Sequence, residues 1–277
     1  MAMTDVAERR KRGQDRAGGW GETIRTVVYA VGIALVVRTF AIEPFNIPSG
    51  SMIPTLLIGD YLFVSKYSYG YSKHSFPFSM GFFSGRIWDK MPERGDVAVF
   101  KYPGDQGQGL NRTDYIKRIV GMPGDRIQVK NSILFINGKP TERLRVGDYV
   151  RGSGNRDYQK GTLYSEVLPN GKRYIVLEYY DNGSADNTPE FTVPAGNFFV
   201  MGDNRDDSAD SRTTLMLRDG MSMSRERNQV GWYVPYDNLV GRAEFIFFSH
   251  DPAAAGWLEP WKWPGAIRFS RFFMAIH

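Results

Sequence analysis

From Asp60 onward the sequence is a succession of short runs rich in Val, Ile, Tyr and Phe, and these runs limit the folds open to the chain. Examples are YLFVS, GDVAVFKY, DYIKRIV and DRIQVKNSILFI, which Pro-Gly, Asn-Gly and Gly-Asp pairs separate. Runs of this kind between turn signals are typical of short β-strands joined by tight connections. The sequence therefore predicts a mainly β fold.

Composition and charge limit the function classes. A chain of 277 residues is long enough for one catalytic domain with appended segments. Its net charge of +5 comes from 35 basic and 30 acidic residues that are interspersed, which disfavours nucleic acid as a partner. The absence of cysteine excludes disulfides and cysteine metal ligands. His74, His250 and His277 are far apart in the sequence, which disfavours a histidine metal site or a Ser-His-Asp triad.

The N-terminal region combines a basic leader, residues 1–21, with an apolar segment, residues 24–42. The uncharged centre of that segment is only 12 residues long, whereas a membrane-spanning helix needs roughly 20. With Arg25 and Arg38 extending toward the interfaces, its 19 residues rise about 28 Å and reach across the hydrocarbon. We expect a transmembrane anchor at residues 22–43. A cleaved signal peptide and a buried core helix are the alternatives.

The stretch IPSGSMIPTL, residues 47–56, places Ser51 between rigid neighbours. Pro48 and Pro54 restrict the backbone on either side of it. A serine hydroxyl is a weak nucleophile, so this stretch is a catalytic candidate only if the chain supplies a base and an oxyanion site.

Lys117 in DYIKRIV is the candidate base. In an extended strand it shares a face with Tyr115 and Ile119. An ammonium on an apolar face loses hydration, which lowers the pKa of the lysine and lets it accept a proton. For a single lysine the alternative is a side chain that extends into solvent from a strand edge.

Three segments in order, with an apolar segment upstream, closely resemble bacterial type I signal peptidase, the membrane-bound Ser-Lys protease that removes signal peptides. They are IPSGSMIPTL, YIKRIVGMPGD at residues 115–125 and MGDNRDDSADSR at residues 201–212. GDVAVFKYP and VPYDNLVGRAEF match as well, so the resemblance covers residues 40–249. It implies a serine endopeptidase with an antiparallel β-sheet catalytic domain that cleaves after a small-x-small pattern and needs no metal or cofactor.

The resemblance also implies a role for each matching residue. Ser51 is the nucleophile, Lys117 is the general base, and Ser208 orients the lysine amine by a hydrogen bond. The Ser51 backbone N–H and the Ser49 hydroxyl form the oxyanion site. Charged residues that support the site are Arg118, Asp203, Arg205, Asp210 and Arg212. Residues that line the substrate groove are Phe45, Ile47, Pro48, Leu62, Val99, Asp114, Tyr115 and Ile116. Each of these residues could instead belong to the ordinary hydrophobic core. For Leu62 and Val99 the sequence favours the groove and the core equally.

The expected layout is a catalytic β core at residues 44–138 and 191–250, interrupted by an inserted β-hairpin lobe at residues 139–190. A loop insertion at residues 213–230 departs from the family's pattern, in which the closing strand follows more directly.

Two aromatic segments have alternative placements. The loop at residues 76–88 is either a small satellite core or a surface that dips into the bilayer. The aromatic and basic tail at residues 251–277 lies either at the membrane interface or on the protein's own core.

The resemblance also implies location and partners. We expect a single-pass protein of the bacterial inner (plasma) membrane, with its N-terminus in the cytoplasm and its catalytic domain on the extracytoplasmic side, since long domains translocate whatever their charge. The expected partners are the signal peptides of preproteins, the lipid bilayer and the protein-export machinery, with no nucleic acid.

Two other functions fit the same residues. One is a Ser-Lys maturation peptidase dedicated to a single pilin-like or conjugation substrate, which a panel of unrelated preproteins would separate from a general enzyme. The other is a membrane-tethered β-rich binding module with an inactive site, which a serine-reactive peptide analogue would fail to label. A self-cleaving repressor is disfavoured because the leader is too short for a DNA-binding domain.

Overall fold

The computed structural model describes residues 19–72, 85–105, 112–151, 159–181, 183, 185–213, 231–256 and 258–277. The chain forms two compact units, Met1–Ala41 and Ile42–His277. The described part of the first unit is the helix α1 (Gly19–Phe40). Within it, the 19 residues Trp20–Arg38 are long and apolar enough to cross a membrane, and none of them is buried. Residues 22–40 of the expected anchor therefore lie on this helix, whereas residues 42 and 43 begin the first strand.

The second unit consists mainly of short strands. In chain order its described strands are β1 (Ile42–Asn46), β2 (Asp60–Ser65), β3 (Val97–Lys101), β4 (Asp114–Gly121), β5 (Arg126–Lys130), β6 (Ile133–Ile136), β7 (Lys139–Pro140), β8 (Glu142–Arg151), β9 (Gln159–Val167), β10 (Arg173–Glu178), β11 (Phe191–Thr192), β12 (Asn197–Met201), β13 (Val234–Pro235), β14 (Leu239–Ser249) and β15 (Met274–Ala275). Its described helices are a short α2 (Trp263–Ala266) and the 3-10 turns Pro103–Asp105, Tyr236–Asn238, Pro260–Lys262 and Phe269–Arg271.

The largest sheet has the strand order β1-β2-β14-β3-β4-β12-β13, with β15 paired to β14. Its strand pairs are antiparallel. The long strand β14 pairs with β2 on one side and β3 on the other, so it joins the segment that carries Ser51 to the strands beside Lys117. The prediction of a mainly β fold with an antiparallel catalytic sheet is confirmed.

Two smaller sheets complete the unit. One has the order β11-β5-β6-β7, and the other has the order β10-β9-β8. The second, which we call the three-stranded sheet, falls within the range 139–190 expected for an inserted lobe. β7 falls in that range too but pairs with β6.

A cluster of buried apolar side chains lies beneath the turn that carries Ser51. From the turn it includes Ile47, Met52 and Leu56, which pack with apolar residues of β2, β3 and β14. Met52 is 1% exposed and Leu56 is 0% exposed. Full burial of such a side chain stabilises the fold by about 1.5–3 kcal/mol. The turn is therefore fixed to the sheet from below.

The tail from residue 251 belongs to the second unit and packs on its largest sheet and on the turn before β2. β15 pairs with β14, and Arg271 forms an ion pair with the fully buried Asp60 at 2.6 Å. Arg268 donates to the carbonyls of Ile58 and His250. Docking on the core, one of the two alternatives for the tail, therefore describes its final ten residues.

Several expected segments lie partly outside the described residues. The residues outside include 1–18 of the leader, 76–84 of the aromatic loop, 106–111 of the catalytic core, 152–158 of the inserted lobe and 214–230 of the loop insertion. At the end of the aromatic loop, Ile87 pairs with Tyr71 through two backbone hydrogen bonds of 2.9 Å. Trp88 beside it is 79% exposed.

Candidate active site

The turn between β1 and β2 presents Ser51. Its neck is closed by hydrogen bonds from the Ile47 N–H to the Asp60 carbonyl and from the Gly59 N–H to the Ile47 carbonyl, each 2.9 Å. Ser51 itself is 7% exposed. Gly50 leaves little room, since a Cβ there would lie 3.1 Å from Ile53 Cδ1. The serine is therefore held in a closed, packed turn.

Lys117 meets Ser51 from β4. Its Nζ donates to Ser51 Oγ at 2.7 Å and to the Ile116 carbonyl at 2.9 Å. The lysine is 5% exposed. Burial lowers its pKa from 10.5 to about 8, against the opposing charges of Asp210, Asp203 and Asp207. A buried amine of this pKa within hydrogen-bond reach of a hydroxyl is able to act as a general base.

Two buried ion pairs frame the lysine. Asp203 accepts from Arg118 Nε at 2.8 Å and Nη2 at 2.7 Å. Asp210 accepts from Arg212 Nε at 2.9 Å and Nη2 at 2.8 Å, and also from the Gly202 N–H at 2.9 Å. Burial raises the pKa of Asp210, but the Arg212 charge outweighs it and holds the pKa below its usual range. The Asp210 carboxylate is therefore ionised near the lysine.

Arg205, expected beside these pairs, has other side-chain partners. It donates to Glu166 at 2.7 and 3.2 Å and to the Tyr174 hydroxyl at 2.9 Å. Glu166 lies on β9 and Tyr174 on β10. The sequence analysis did not identify Glu166 or Tyr174, because both lie outside the motif MGDNRDDSADSR that contains Arg205.

Asn204 bonds the backbone of the serine turn at two points. Its N–H donates to the Ser51 carbonyl at 3.1 Å, and its Nδ2 donates to the Gly50 carbonyl at 3.0 Å. The prediction did not include Asn204, although it stands in the GDNRD motif between two residues that were chosen. An amide between charged residues of a motif is the signal that could have identified it.

Ser208 lies near Ser51 but does not form the hydrogen bond to the Lys117 amine that the resemblance implies. Ser208 Oγ is buried and has no partner among the described residues, because the amine of Lys117 directs its hydrogen bonds to Ser51 and Ile116. Gly202 packs between Ser208 and Ser51: a Cβ there would lie 2.3 Å from Ser208 Oγ and 2.5 Å from the Ser51 carbonyl oxygen. Ser49 is exposed in the turn.

The expected groove residues fall into two groups. Ile47, Leu62 and Val99 are buried in the cluster beneath the turn. The others are exposed or half-buried, and they are Phe45, Pro48, Asp114, Tyr115 and Ile116.

The two half-buried apolar residues Phe45, on β1, and Ile116, on β4, pack against the same cluster. β4 pairs with β12 only from Arg118 onward, so Asp114–Lys117 is paired only with β3 among the described strands. No group of three or more His, Asp or Glu side chains in the described residues is placed to hold a metal.

Comparison with known proteins assigns the family. The model of the family described as signal peptidase, peptidase S26, matches residues 20–248. The chain belongs to this signal peptidase family. The resemblance predicted from the sequence motifs is thereby confirmed.

Individual relatives of the signal peptidase family cover nearly the whole chain. The chain is 40% identical over 269 residues to signal peptidase I of Rickettsia canadensis (strain McKiel), covering 91% of this chain and 92% of the relative. It is 37% identical over 265 residues to signal peptidase I of Rickettsia typhi (strain ATCC VR-144 / Wilmington), covering 90% and 91%. A crystal structure of a signal peptidase I from Enterococcus faecalis V583 matches 55% of this chain and 97% of that chain at 23% identity, with a TM-score of 0.27.

Family membership establishes the class of activity. Signal peptidases of the S26 family are serine endopeptidases that remove signal peptides, and this chain is one of them. The family is membrane-anchored, and α1 of this chain is long and apolar enough to serve as a membrane anchor.

Proposed function

We propose that the chain removes N-terminal signal peptides from exported preproteins, after a small-x-small site, with Ser51 as nucleophile and Lys117 as general base. One observation carries the proposal, namely the 2.7 Å hydrogen bond between Lys117 Nζ and Ser51 Oγ. Both residues are buried, and the pKa of the lysine is lowered to about 8.

The reaction begins when neutral Lys117 accepts the hydroxyl proton as Ser51 Oγ attacks the scissile carbonyl carbon. The ammonium that forms lies near the carboxylates Asp203 and Asp210, which stabilise its charge. It then returns the proton to the leaving amine, which departs as the N-terminus of the mature protein. Neutral Lys117 next accepts a proton from a water molecule as the water oxygen attacks the acyl-enzyme carbonyl. When the ester bond to Ser51 breaks, Lys117 returns that proton to Ser51 Oγ, and the signal peptide leaves with a free carboxylate.

The oxyanion site of the proposal comprises the Ser51 backbone N–H and the Ser49 hydroxyl. The Ser51 N–H has no hydrogen-bond acceptor among the described residues, and Ser49 is exposed two residues before the nucleophile. Removing one donor from such a site costs about 3–4 kcal/mol in barrier. Ser208 fits a role at the lysine only after its buried hydroxyl turns toward the amine.

The substrate binds as an added strand. Residues Asp114–Ile116 have backbone groups on the side of β4 that faces away from β3. Phe45 and Ile116 line the same apolar floor. Backbone pairing supplies affinity and small apolar pockets supply selectivity for small side chains. This arrangement suits the extended small-x-small end of a signal peptide.

The membrane orientation of the proposal places the N-terminus in the cytoplasm and the catalytic unit outside the bacterial inner membrane. The basic leader supports it, because positive flanks stay on the cytoplasmic side. Preproteins would then arrive from the export machinery at the extracytoplasmic face of the inner membrane, beside lipid.

The proposal is tested with Ser51→Ala and Lys117→Ala in the full chain in detergent, on a panel of unrelated preproteins. We expect both variants to remain folded and to lose cleavage, while the wild type cleaves most of the panel. Full cleavage by either variant would remove the dyad. Cleavage of a single preprotein by the wild type would instead favour a dedicated maturation peptidase.

A further inference from the structure

Residues 203–205 connect both members of the proposed dyad. Asn204 bonds the carbonyls of Ser51 and Gly50. Asp203 forms the bidentate pair with Arg118, the residue after Lys117 on β4. A displacement of this segment would therefore move the nucleophile relative to the base.

The three-stranded sheet holds this segment through its backbone. The Leu177 N–H on β10 donates to the Asp203 carbonyl at 2.8 Å, and the Arg205 N–H donates to the Leu177 carbonyl at 2.9 Å. Leu177 and Asn204 form a parallel bridge between them. The segment is thus bridged to the edge of β10 at a single residue pair.

Side chains of the same sheet hold the segment a second time. Arg205 is 2% exposed, and its guanidinium bonds only Glu166 and Tyr174 among the described residues. Tyr174 also donates to Glu166, and its ring lies 4.3 Å from Arg118 Cζ. Tyr174 therefore contacts both Arg205 and Arg118.

We propose that Glu166 and Tyr174 of the three-stranded sheet are positioning residues for the Ser51–Lys117 dyad. They act through Arg205 and Arg118 and do not touch substrate. The inference rests on the proposed dyad and deepens it, since it gives the sheet at residues 142–178 a part in catalysis.

The ion pair between Arg205 and Glu166 is buried, so neither charge can be removed without leaving the other unpaired. Glu166 is 0% exposed, and it is the carboxylate that Arg205 contacts among the described residues. A buried guanidinium without its partner draws in water or moves outward. Either response shifts residues 203–205, loosens the packing around Lys117 and returns water to its amine.

The test compares Tyr174→Phe and Glu166→Gln in the full chain in detergent. Tyr174→Phe keeps the ring over Arg118 and removes the hydroxyl alone. Glu166→Gln keeps the shape and removes the charge. The matched control is Glu178→Gln on β10, since Glu178 is also buried but forms its ion pair with Arg143 of the same sheet, at 2.5 Å. Measured for each are kcat and KM on a signal-peptide substrate, the pH profile of kcat/KM and the thermal unfolding transition.

We expect kcat to fall at least about tenfold in Tyr174→Phe and Glu166→Gln with KM little changed, since small displacements of reacting groups cost rate. We also expect the acidic limb of the profile to rise from about 8 toward 10.5 as Lys117 regains water. A role in stability alone would lower the unfolding transition without moving that limb. Glu166→Asp, which restores the charge, is expected to recover part of kcat.

Wild-type kcat and an unchanged limb in Tyr174→Phe would overturn the inference, whether or not Glu166→Gln folds. An equal loss of kcat in Glu178→Gln would overturn it too. Ser51→Ala is measured alongside: activity there removes the proposed dyad itself, whereas an inactive Ser51→Ala with an unaffected Tyr174→Phe removes only the positioning role.

Discussion

Arg118 and Asp203 form a bidentate ion pair in which each side chain is 1% exposed. Arg118 follows Lys117 on β4, and Asp203 precedes Asn204, which bonds the Ser51 backbone. The pair therefore links the strand that carries the proposed base to the segment that holds the proposed nucleophile. Thr55, from the serine turn, adds a hydrogen bond of 2.5 Å to the same carboxylate.

Asp203→Asn is expected to destabilise the folded protein by about 3–5 kcal/mol, because it leaves the buried guanidinium of Arg118 without a counter-charge. Urea unfolding in detergent measures the change. The control is Glu190→Gln, which removes an exposed pair with Arg126 and should change stability by less than about 1 kcal/mol. A small change in both variants would contradict the need for charge balance at Arg118.

Asp207→Asn is expected to move the acidic limb of the kcat/KM profile below that of the wild type, which we expect near pH 8 from the lowered pKa of Lys117. A carboxylate favours the charged form of a nearby lysine and raises its pKa, so its removal lowers the pKa of Lys117. Lys117 is then neutral at lower pH. Asp207 is exposed, so the shift should shrink in high salt. Asp181→Asn, also exposed, is the control, and an upward shift in Asp207→Asn would contradict the assignment of Lys117 as the base.

The sequence predicts the fold class and the two residues of the proposed dyad because their signals are local. Apolar runs between turn signals identify strands, and DYIKRIV places Lys117 on a strand. The partner choice at Arg205 is different. Its bond to Glu166 spans 39 residues, and it depends on the contact between β10 and residues 203–205. No local pattern encodes that pairing.

The tail is a second case of long-range information. Its aromatic and basic residues fit a membrane interface and a docked segment equally well. The docked arrangement depends on Arg271 reaching Asp60 across 211 residues of sequence. Ser208 shows the opposite limit, since family resemblance supplies a role but not the rotamer that the side chain adopts.

Gly202→Ala is expected to lower kcat by about 100-fold, the loss that a displacement of about 1 Å at the reacting atoms produces. A Cβ at this position would lie 2.5 Å from the Ser51 carbonyl oxygen, which is backbone and has to move with the serine. Cleavage of a signal-peptide substrate at saturating concentration measures the loss. Gly147→Ala is the matched control, because a Cβ there meets nothing within 4 Å. Wild-type kcat in Gly202→Ala would show that the turn tolerates displacement.

Deletion of residues 274–277 is expected to destabilise the protein and lower kcat together. The His277 carbonyl accepts from Arg118 Nη1 at 2.8 Å, and Ile276 packs against the cluster beneath the serine turn. The deletion removes one of the two acceptors of Arg118 Nη1, the other being the Gly95 carbonyl. A charged N–H left without its acceptor costs about 1–3 kcal/mol or more, and the pairing of β15 with β14 is lost as well. Urea unfolding and kcat are both measured. Phe273→Ala, which truncates a side chain that is 77% exposed, is the control. If the deletion changes neither the free energy of unfolding nor kcat, the contact of the tail with Arg118 does not support the site.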